Sequence, residues 1–257
     1  MITTAKQNPR ALTNTPSGEF LLPKDMFVCF RGDQAVILDL GSDRYLAVDA
    51  RGANALKSLF PGEASGSQQD AHELDGSDAK SILEKMAECR MLTKDPREGK
   101  VAIPVCLPTP VRTLIRNWSL EGQSPLGDTK IRVAHLLAFA IAVIAARWSL
   151  RVRKLKVVVA KVSGKRVGRA TSFDFAKAAA LTDVFNLLRP FLLTASDACL
   201  LNSLALLNFL RWFEVYPSWV FGVRHVPFAA HCWVQQDGVL LNDHIEHAQL
   251  FTPIMVV

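Results

Sequence analysis

Residues Ala229 to Asp243 read AAHCWVQQDGVLLND. Two arms rich in β-formers flank an Asp-Gly pair, the pattern of a β-hairpin. A lone hairpin is marginal in water, so something apolar must cover one of its faces. The cover stands just ahead in the chain. TASDACLLNSLALLNFLRWFEVYP, Thr194 to Pro217, reads as a helix starting near Asp197, capped by Ser196 or Asp197, and stopping before Pro217. SWVFGVR (Ser218 to Arg224) is a strand of bulky residues, and HVPFA turns the chain back. A helix laid on an antiparallel sheet puts the C-terminal part in the α+β class.

The first half carries a second pattern. Residues 1–19 are polar and read as a tail. Met26 to Phe30, Ala35 to Leu40 and Arg44 to Val48 are predicted strands, with turns at Arg31 to Gln34 and Gly41 to Asp43, a three-stranded meander. A helix is expected over Ala50 to Phe60, followed by a polar loop. A second helix, capped by Ser77 or Asp78, would present Ile82, Leu83, Met86 and Cys89 on one side. DPREGKVAIPVCLPTP holds four prolines and marks a boundary. The expected organisation is a tail (1–19), a small domain (20–95), a linker (96–110) and a larger domain (111–257). Within the last, helices are expected over Thr129 to Leu150 and over Phe173 to Arg189, the latter ended by Pro190.

Composition narrows the class. With 49% hydrophobic residues in 257, the chain can bury a core. The first ten residues lack the apolar run of a signal peptide, and the five cysteines are scattered with no CxxC. Both favour reduced thiols in the cytoplasm. The longest apolar run, Leu136 to Ala146, has 11 residues, too few to cross a bilayer, and reads as a buried helix or a hydrophobic face used by a partner. Charge is uneven: net −3 over residues 1–95, +12 over 96–170 and −3 over 171–257. Arg151 to Arg169 holds eight basic residues and no acid, which reads first as a solvated face or basic linker and second as a surface for an acidic partner. It has no interleaved aromatics, so nucleic acid is not the expected partner.

The chemistry concentrates in the last sixty residues. Cys199 falls in the first turn of its helix, where unpaired amides and the helix dipole favour a thiolate. Alone it would more often be a packing residue. The hairpin adds a partner, and register decides which. A two-residue Asp237-Gly238 loop pairs Gln236 with Val239 and sets His231 opposite His244. A three-residue loop with Gly238 in a bulge pairs Gln235 with Val239, Trp233 with Leu241 and His231 with Asp243. The second is preferred here, because it gathers Val239 and Leu241 on the buried side and leaves Asn242 outside. It yields Cys199 as nucleophile, His231 as general base and acid, and Asp243 as the carboxylate that orients the imidazole. Trp233 shares the site face. Cys232 points away from His231, His225 sits in a loop, His244 and His247 read as surface residues, and Ser203 is expected to bond its own helix. No Cys or His pair has finger spacing, so no metal is expected.

These residues carry a resemblance. ACLLNSLALLNFLRW followed by FGVRHVPFAAHCWVQQDGVLLND resembles the B proteins of lasso-peptide biosynthesis, leader peptidases with a papain/transglutaminase-like core. The matching elements are Cys199, Ser203 to Leu206, Gly222-Val223, Phe228 to Val234, Gly238 and Asn242-Asp243. The head, with LDLGSDRYLAVDARGANAL, resembles the small winged-helix (PqqD-like) element that recognises leader peptides of ribosomally made natural products. The resemblance implies a fusion of the two. The head would capture the leader by strand addition along Arg44, Tyr45, Leu46 and Val48, with Ile82 and Met86 lining the groove. Trp233 and Phe228 would contact substrate at the cutting site. The leader–core bond of a lasso precursor would be hydrolysed, and the freed amine passed to an ATP-dependent macrolactam cyclase of asparagine-synthetase type. No Gly-rich phosphate loop is present, so no cofactor is expected on this chain and ATP is assigned to the partner. The alternatives are a non-catalytic leader-binding scaffold and another acyl-transfer enzyme, a transglutaminase or amidase, on the same core.

Overall fold

The computed structural model describes residues 19–60, 76–103, 105, 107–114, 131–166, 173–193 and 199–257. Two short strands, β1 (Leu22–Pro23) and β5 (Gly99–Lys100), pair antiparallel, so part of the expected linker is strand. Between them in the chain lies the meander: β2 (Met26–Arg31), β3 (Gln34–Asp39) and β4 (Arg44–Val48), in the order β2-β3-β4. Its turns use Gly32 at φ 63° and Asp43 at φ 53°, the left-handed region that glycine and aspartate tolerate best.

The described residues fall into two compact units. One gathers those of Met1–Met26, Gly32–Ala35 and Ala47–Pro104; the other those of Phe27–Arg31, Val36–Leu46 and Val105–Val257. In the first, α1 (Ala50–Lys57) is capped by Asp49, whose carboxylate accepts from the Gly52 amide at 2.9 Å. The helix α2 (Gly76–Glu88) packs against it. It begins earlier than expected, so Ser77 and Asp78 lie inside its first turn and do not cap it. Gly52 is the point of closest approach: a Cβ there would lie 2.6 Å from Val48 Cγ1 and 2.8 Å from Met86 Cε. Val48, Leu83 and Met86 are therefore buried, while Cys89 is exposed.

The second unit holds four long helices: α3 (Val133–Val152), α4 (Leu155–Arg166), α5 (Phe175–Leu192) and α6 (Cys199–Trp212). The basic segment, read as a solvated face or basic linker, is largely helix, anchored by buried Val158 and Val159. Asp174 caps α5. Pro190 does not end it: proline sits in its last turn, and the Leu193 amide still closes on the Arg189 carbonyl at 2.8 Å. At 20 residues α3 outruns the apolar run that announced it. By length and composition it could cross a bilayer, with mean hydropathy 1.8, but Ala138, Phe139, Ala142, Val143 and Ala146 face the core. Ser196 and Asp197, the expected caps of α6, lie outside the described residues.

A five-stranded sheet completes the unit, in the order β10-β7-β8-β9-β6. The strands β7 (Ser218–Arg224) and β8 (Ala229–Gln236) keep their sequence-predicted limits. The strands β6 (Arg112–Thr113), β9 (Val239–Leu240) and β10 (Thr252–Val256) are short, and α7 (Ile245–Ala248) lies between the last two. Parallel pairing of β6 to β9 and antiparallel pairing of β10 to β7 were not foreseen. α6 packs between α3 and β8, which is why it is apolar on nearly every side: Leu204, Ala205, Leu206, Phe209 and Leu210 are all essentially without solvent contact.

Candidate active site

The hairpin adopts the register not preferred from sequence. Gln236 pairs with Val239 and Gln235 with Leu240 across a two-residue turn, with Asp237 at φ 47° and Gly238 at φ 79°. Positive φ at both positions suits the right-handed twist of the arms. Continued as a ladder, this register would set His231 opposite His244. The ladder stops instead. After Leu240 the chain bends: the Leu241 amide still reaches the Val234 carbonyl at 2.9 Å, and the Asn242 side chain then takes the next bond, its Oδ1 accepting from the Val234 amide at 2.7 Å. That bend carries Asp243 back to His231. The sequence reading had the partners right and the geometry wrong, because a two-strand register does not encode a bend. Leu240 is buried along with Leu241, and Asn242 turns inward.

His231 Nε2 lies 2.7 Å from Asp243 Oδ2. The other carboxylate oxygen accepts from the His244 amide at 2.9 Å and meets His247 Nδ1 at 3.0 Å. Burial alone would raise the Asp243 pKa, but His231, His247 and the His244 amide overcome it and hold the carboxylate ionised. His247, half-exposed and read from sequence as a surface residue, is thus a second imidazole on the same carboxylate. His231, Asp243 and His247 offer donor atoms within 4.8 Å of one another, a set that could hold a metal ion. All are already joined by hydrogen bonds of ordinary length, so the cluster is self-consistent without one.

Cys199 is the first residue of α6, and its thiol interacts with the His231 ring and with Cys232. Its thiol is lowered to about 4, first by the Cys232 side chain, then against the cost of burial by His231. His231 moves the other way. Burial opposes its charge, but Asp243 and Cys199 raise it to about 9. At neutral pH the two form a thiolate–imidazolium pair. Cys232, read as pointing away from His231, packs on the opposite side of β8 from Trp233 and also reaches Cys199. Its own thiol is pushed far up, first by burial, and stays protonated to donate. Ser203 is a correction. Its hydroxyl donates to the Cys232 carbonyl at 3.0 Å and accepts from Asn242 Nδ2 at 3.1 Å, tying α6, β8 and the bend together one turn beyond Cys199.

Trp233 is buried and does not face a cleft. Its ring lies 5.9 Å from that of His231 at 22°, and its Nε1 donates to Gln235 Oε1 at 2.9 Å. Phe251 flanks the imidazole from another side at 5.0 Å. Trp233 therefore steadies His231 instead of meeting substrate. Gly222, paired with His231 across β7 and β8, makes room: a Cβ there would sit 2.8 Å from the indole. Phe228 is exposed and meets Tyr45 edge-on at 5.6 Å. The Tyr45 phenol is pushed up to about 12, first by burial, then by the neighbouring sulfurs of Cys232 and Cys199. Tyr45 is thus brought close to the thiol, which its place on a head-domain strand did not announce. Arg44 is exposed, Leu46 and Ile82 are half-buried, and Val48 and Met86 are interior.

Comparison with known families places this arrangement. Residues 139–256 match the model described as Transglutaminase-like superfamily. The C-terminal portion is therefore transglutaminase-like, and the match runs through α3 to β10 and includes Cys199, His231 and Asp243. Members of that superfamily are in general cysteine peptidases or transglutaminases. No curated protein and no solved structure matches the chain.

Proposed function

We propose that this protein is a cysteine peptidase that binds the leader of a lasso-peptide precursor and hydrolyses the leader–core bond. The observation that carries the reading is the line Cys199–His231–Asp243, with its thiol at the start of α6 and its carboxylate 2.7 Å from the imidazole. The Cys199 thiolate attacks the scissile carbonyl carbon, and the carbonyl oxygen takes the negative charge. Backbone amides at the start of α6 stabilise that charge. His231 hydrogen-bonds Asp243 through Nε2, which leaves Nδ1 to protonate the departing amine of the core. The leader remains as a thioester. His231, now neutral, takes a proton from water, the hydroxide equivalent adds to the thioester, and the leader acid leaves as Cys199 recovers its charge. Asp243 holds the ring and offsets its charge throughout.

The small head supports a peptide substrate. Among the described residues β4 is an edge strand of its sheet, which suits a leader adding as a further strand. Arg44 and Leu46 flank that edge, and Tyr45 meets Phe228 edge-on at 5.6 Å. Val48 and Met86 support the fold beneath. The freed core amine goes to an ATP-dependent cyclase partner. A transglutaminase or amidase on the same core differs only in what takes the acyl group: an amine gives a new amide bond, water gives an acid.

The test is the Cys199→Ala variant with a synthetic precursor peptide, followed by mass spectrometry and fluorescence anisotropy. The expected result is no cleavage with leader affinity kept. Unchanged processing in the variant would assign the chain a scaffold role, and a mass gain from an added amine would assign it transfer.

A further inference from the structure

The face of α3 turned away from the core carries an apolar stripe, with the exposed Arg147 and Arg151 set within it. Val133, Leu137, Ile141, Ile144, Trp148 and Val152 recur at steps of three and four, and all are between 46% and 71% exposed. Soluble proteins seldom leave so long a stripe to water without a use for it. The stripe is also wide. At about 100° per residue, the exposed apolar arc from Leu136 round to Val152 covers roughly 160° of the helix. Exposed apolar side chains also stand on the neighbouring helices: Val157 of α4, and Phe191, at 79%, near the end of α5, where Arg147 Nη2 holds the Leu192 carbonyl at 2.6 Å.

Charge decides what would cover it. From Val133 to Arg166 the chain has eight Lys or Arg and no Asp or Glu. Arg151, Lys154 and Lys161 are exposed, and the Arg153 guanidinium lies over the Trp148 ring at 5.6 Å. A second copy of the chain would set one basic flank against another. One acidic helix would cover a narrow seam and leave the rest of the arc wet. A surface of anionic lipid meets both requirements: acyl chains receive the aliphatic and indole groups, while lysine and arginine reach the headgroups.

We propose that this face seats the protein on an anionic bilayer surface, with α3 lying in the interface and not across it. The proposal is independent of the peptidase reading. The test is co-sedimentation of the full chain with phosphatidylcholine vesicles, with and without about one-third phosphatidylglycerol, at low salt. Several exposed cations would meet such a surface, so binding to the anionic vesicles should exceed binding to the neutral ones by at least about tenfold. Added salt should weaken it. Arg151→Glu/Lys154→Glu/Lys161→Glu and, separately, Ile144→Glu/Trp148→Glu should each abolish most of the binding while Cys199 alkylates at the wild-type rate. Wild-type protein left in the supernatant overturns the proposal, as does equal binding by either variant. Loss of a dimer in Ile144→Glu/Trp148→Glu, with no vesicle binding by wild type, would assign the face to a second copy. Capture of a synthetic Leu/Glu amphipathic helix, again without vesicle binding, would assign it to an acidic protein.

Discussion

His231 and Asp243 meet at 2.7 Å although the ladder that joins their strands does not pair them. The meeting depends on the bend after Leu240, and the bend depends on Asn242, which bonds the Val234 amide with one side-chain atom and Ser203 with the other. Asn242→Ala would leave a partly buried amide without a partner, at a cost of about 1–3 kcal/mol. In a domain of this size that corresponds to a fall of several degrees in Tm. It should also loosen Asp243 and lower kcat by roughly 10- to 100-fold, less than Asp243→Ala, for which a loss of at least about 100-fold is expected. Thermal melts and single-turnover cleavage of a synthetic precursor separate the two effects.

The thiolate–imidazolium pair sets the pH profile. Cys199 is lowered to about 4 and His231 raised to about 9. The active form has the thiol deprotonated and the ring protonated, so kcat/KM should hold level between those values. It should fall below the lower limb as sulfur takes a proton, and above the upper limb as the ring loses one. Asp243→Asn removes the carboxylate that raises His231, so the alkaline limb should move down. An alkaline limb unmoved by that change would mean that Asp243 does not govern the ring.

Much of this was legible in the residues. Alternating bulky side chains around Asp237-Gly238 announced β8 and its turn, and the apolar run after Cys199 announced α6. Register was not legible, because Asp-Gly serves a two-residue turn and a bulge alike. The decisive bonds come from Asn242 and Ser203, whose partners lie on other elements. β6 and β9 have two residues each and exist only because the sheet offers them an edge. The helix α4 was hidden by its lysines, which mask the Val158–Val159 anchor. Val48 and Met86 were assigned to leader binding on the resemblance alone, and the close approach that Gly52 allows them, which buries both, is not visible in a motif.

Cys232 tunes the thiol. It is the leading cause of the lowered Cys199 pKa, and its own burial keeps it a donor. Cys232→Ala should therefore move the acid limb of Cys199 alkylation by iodoacetamide upward, by about one pH unit or more, since one unit is 1.36 kcal/mol and a hydrogen bond to a charged group contributes about 1.5–3. Cys232→Ser keeps a donor and should restore most of the shift. Identical limbs in all three proteins would show that Cys232 only packs.

Gly222 is required for shape. A Cβ would meet the Trp233 indole at 2.8 Å and the Phe251 Cβ at 3.0 Å, and both rings brace His231. Gly222→Ala should cost about 1–3 kcal/mol, as overpacking of a close-packed interior does. Because the displaced ring is the one stacked on the imidazole, kcat should fall as well, with KM little changed. Paired melts and steady-state kinetics check this.

His247 offers a last test, because it distinguishes a hydrolytic site from a metal site built of the same atoms. Asp243 divides its oxygens between His231 and His247, and the three donors lie within 4.8 Å. If the imidazole is the acid–base group, a chelator should leave the rate of cleavage unchanged. Added zinc should inhibit, because binding requires both rings neutral and removes the proton that the leaving amine needs. His247→Ala removes one donor without touching the His231–Asp243 bond. It should keep most of the activity, lose most of the zinc sensitivity, and lower the His231 limb only slightly. Loss of activity on chelation, restored by zinc, would instead make the metal the working group and Cys199 a bystander.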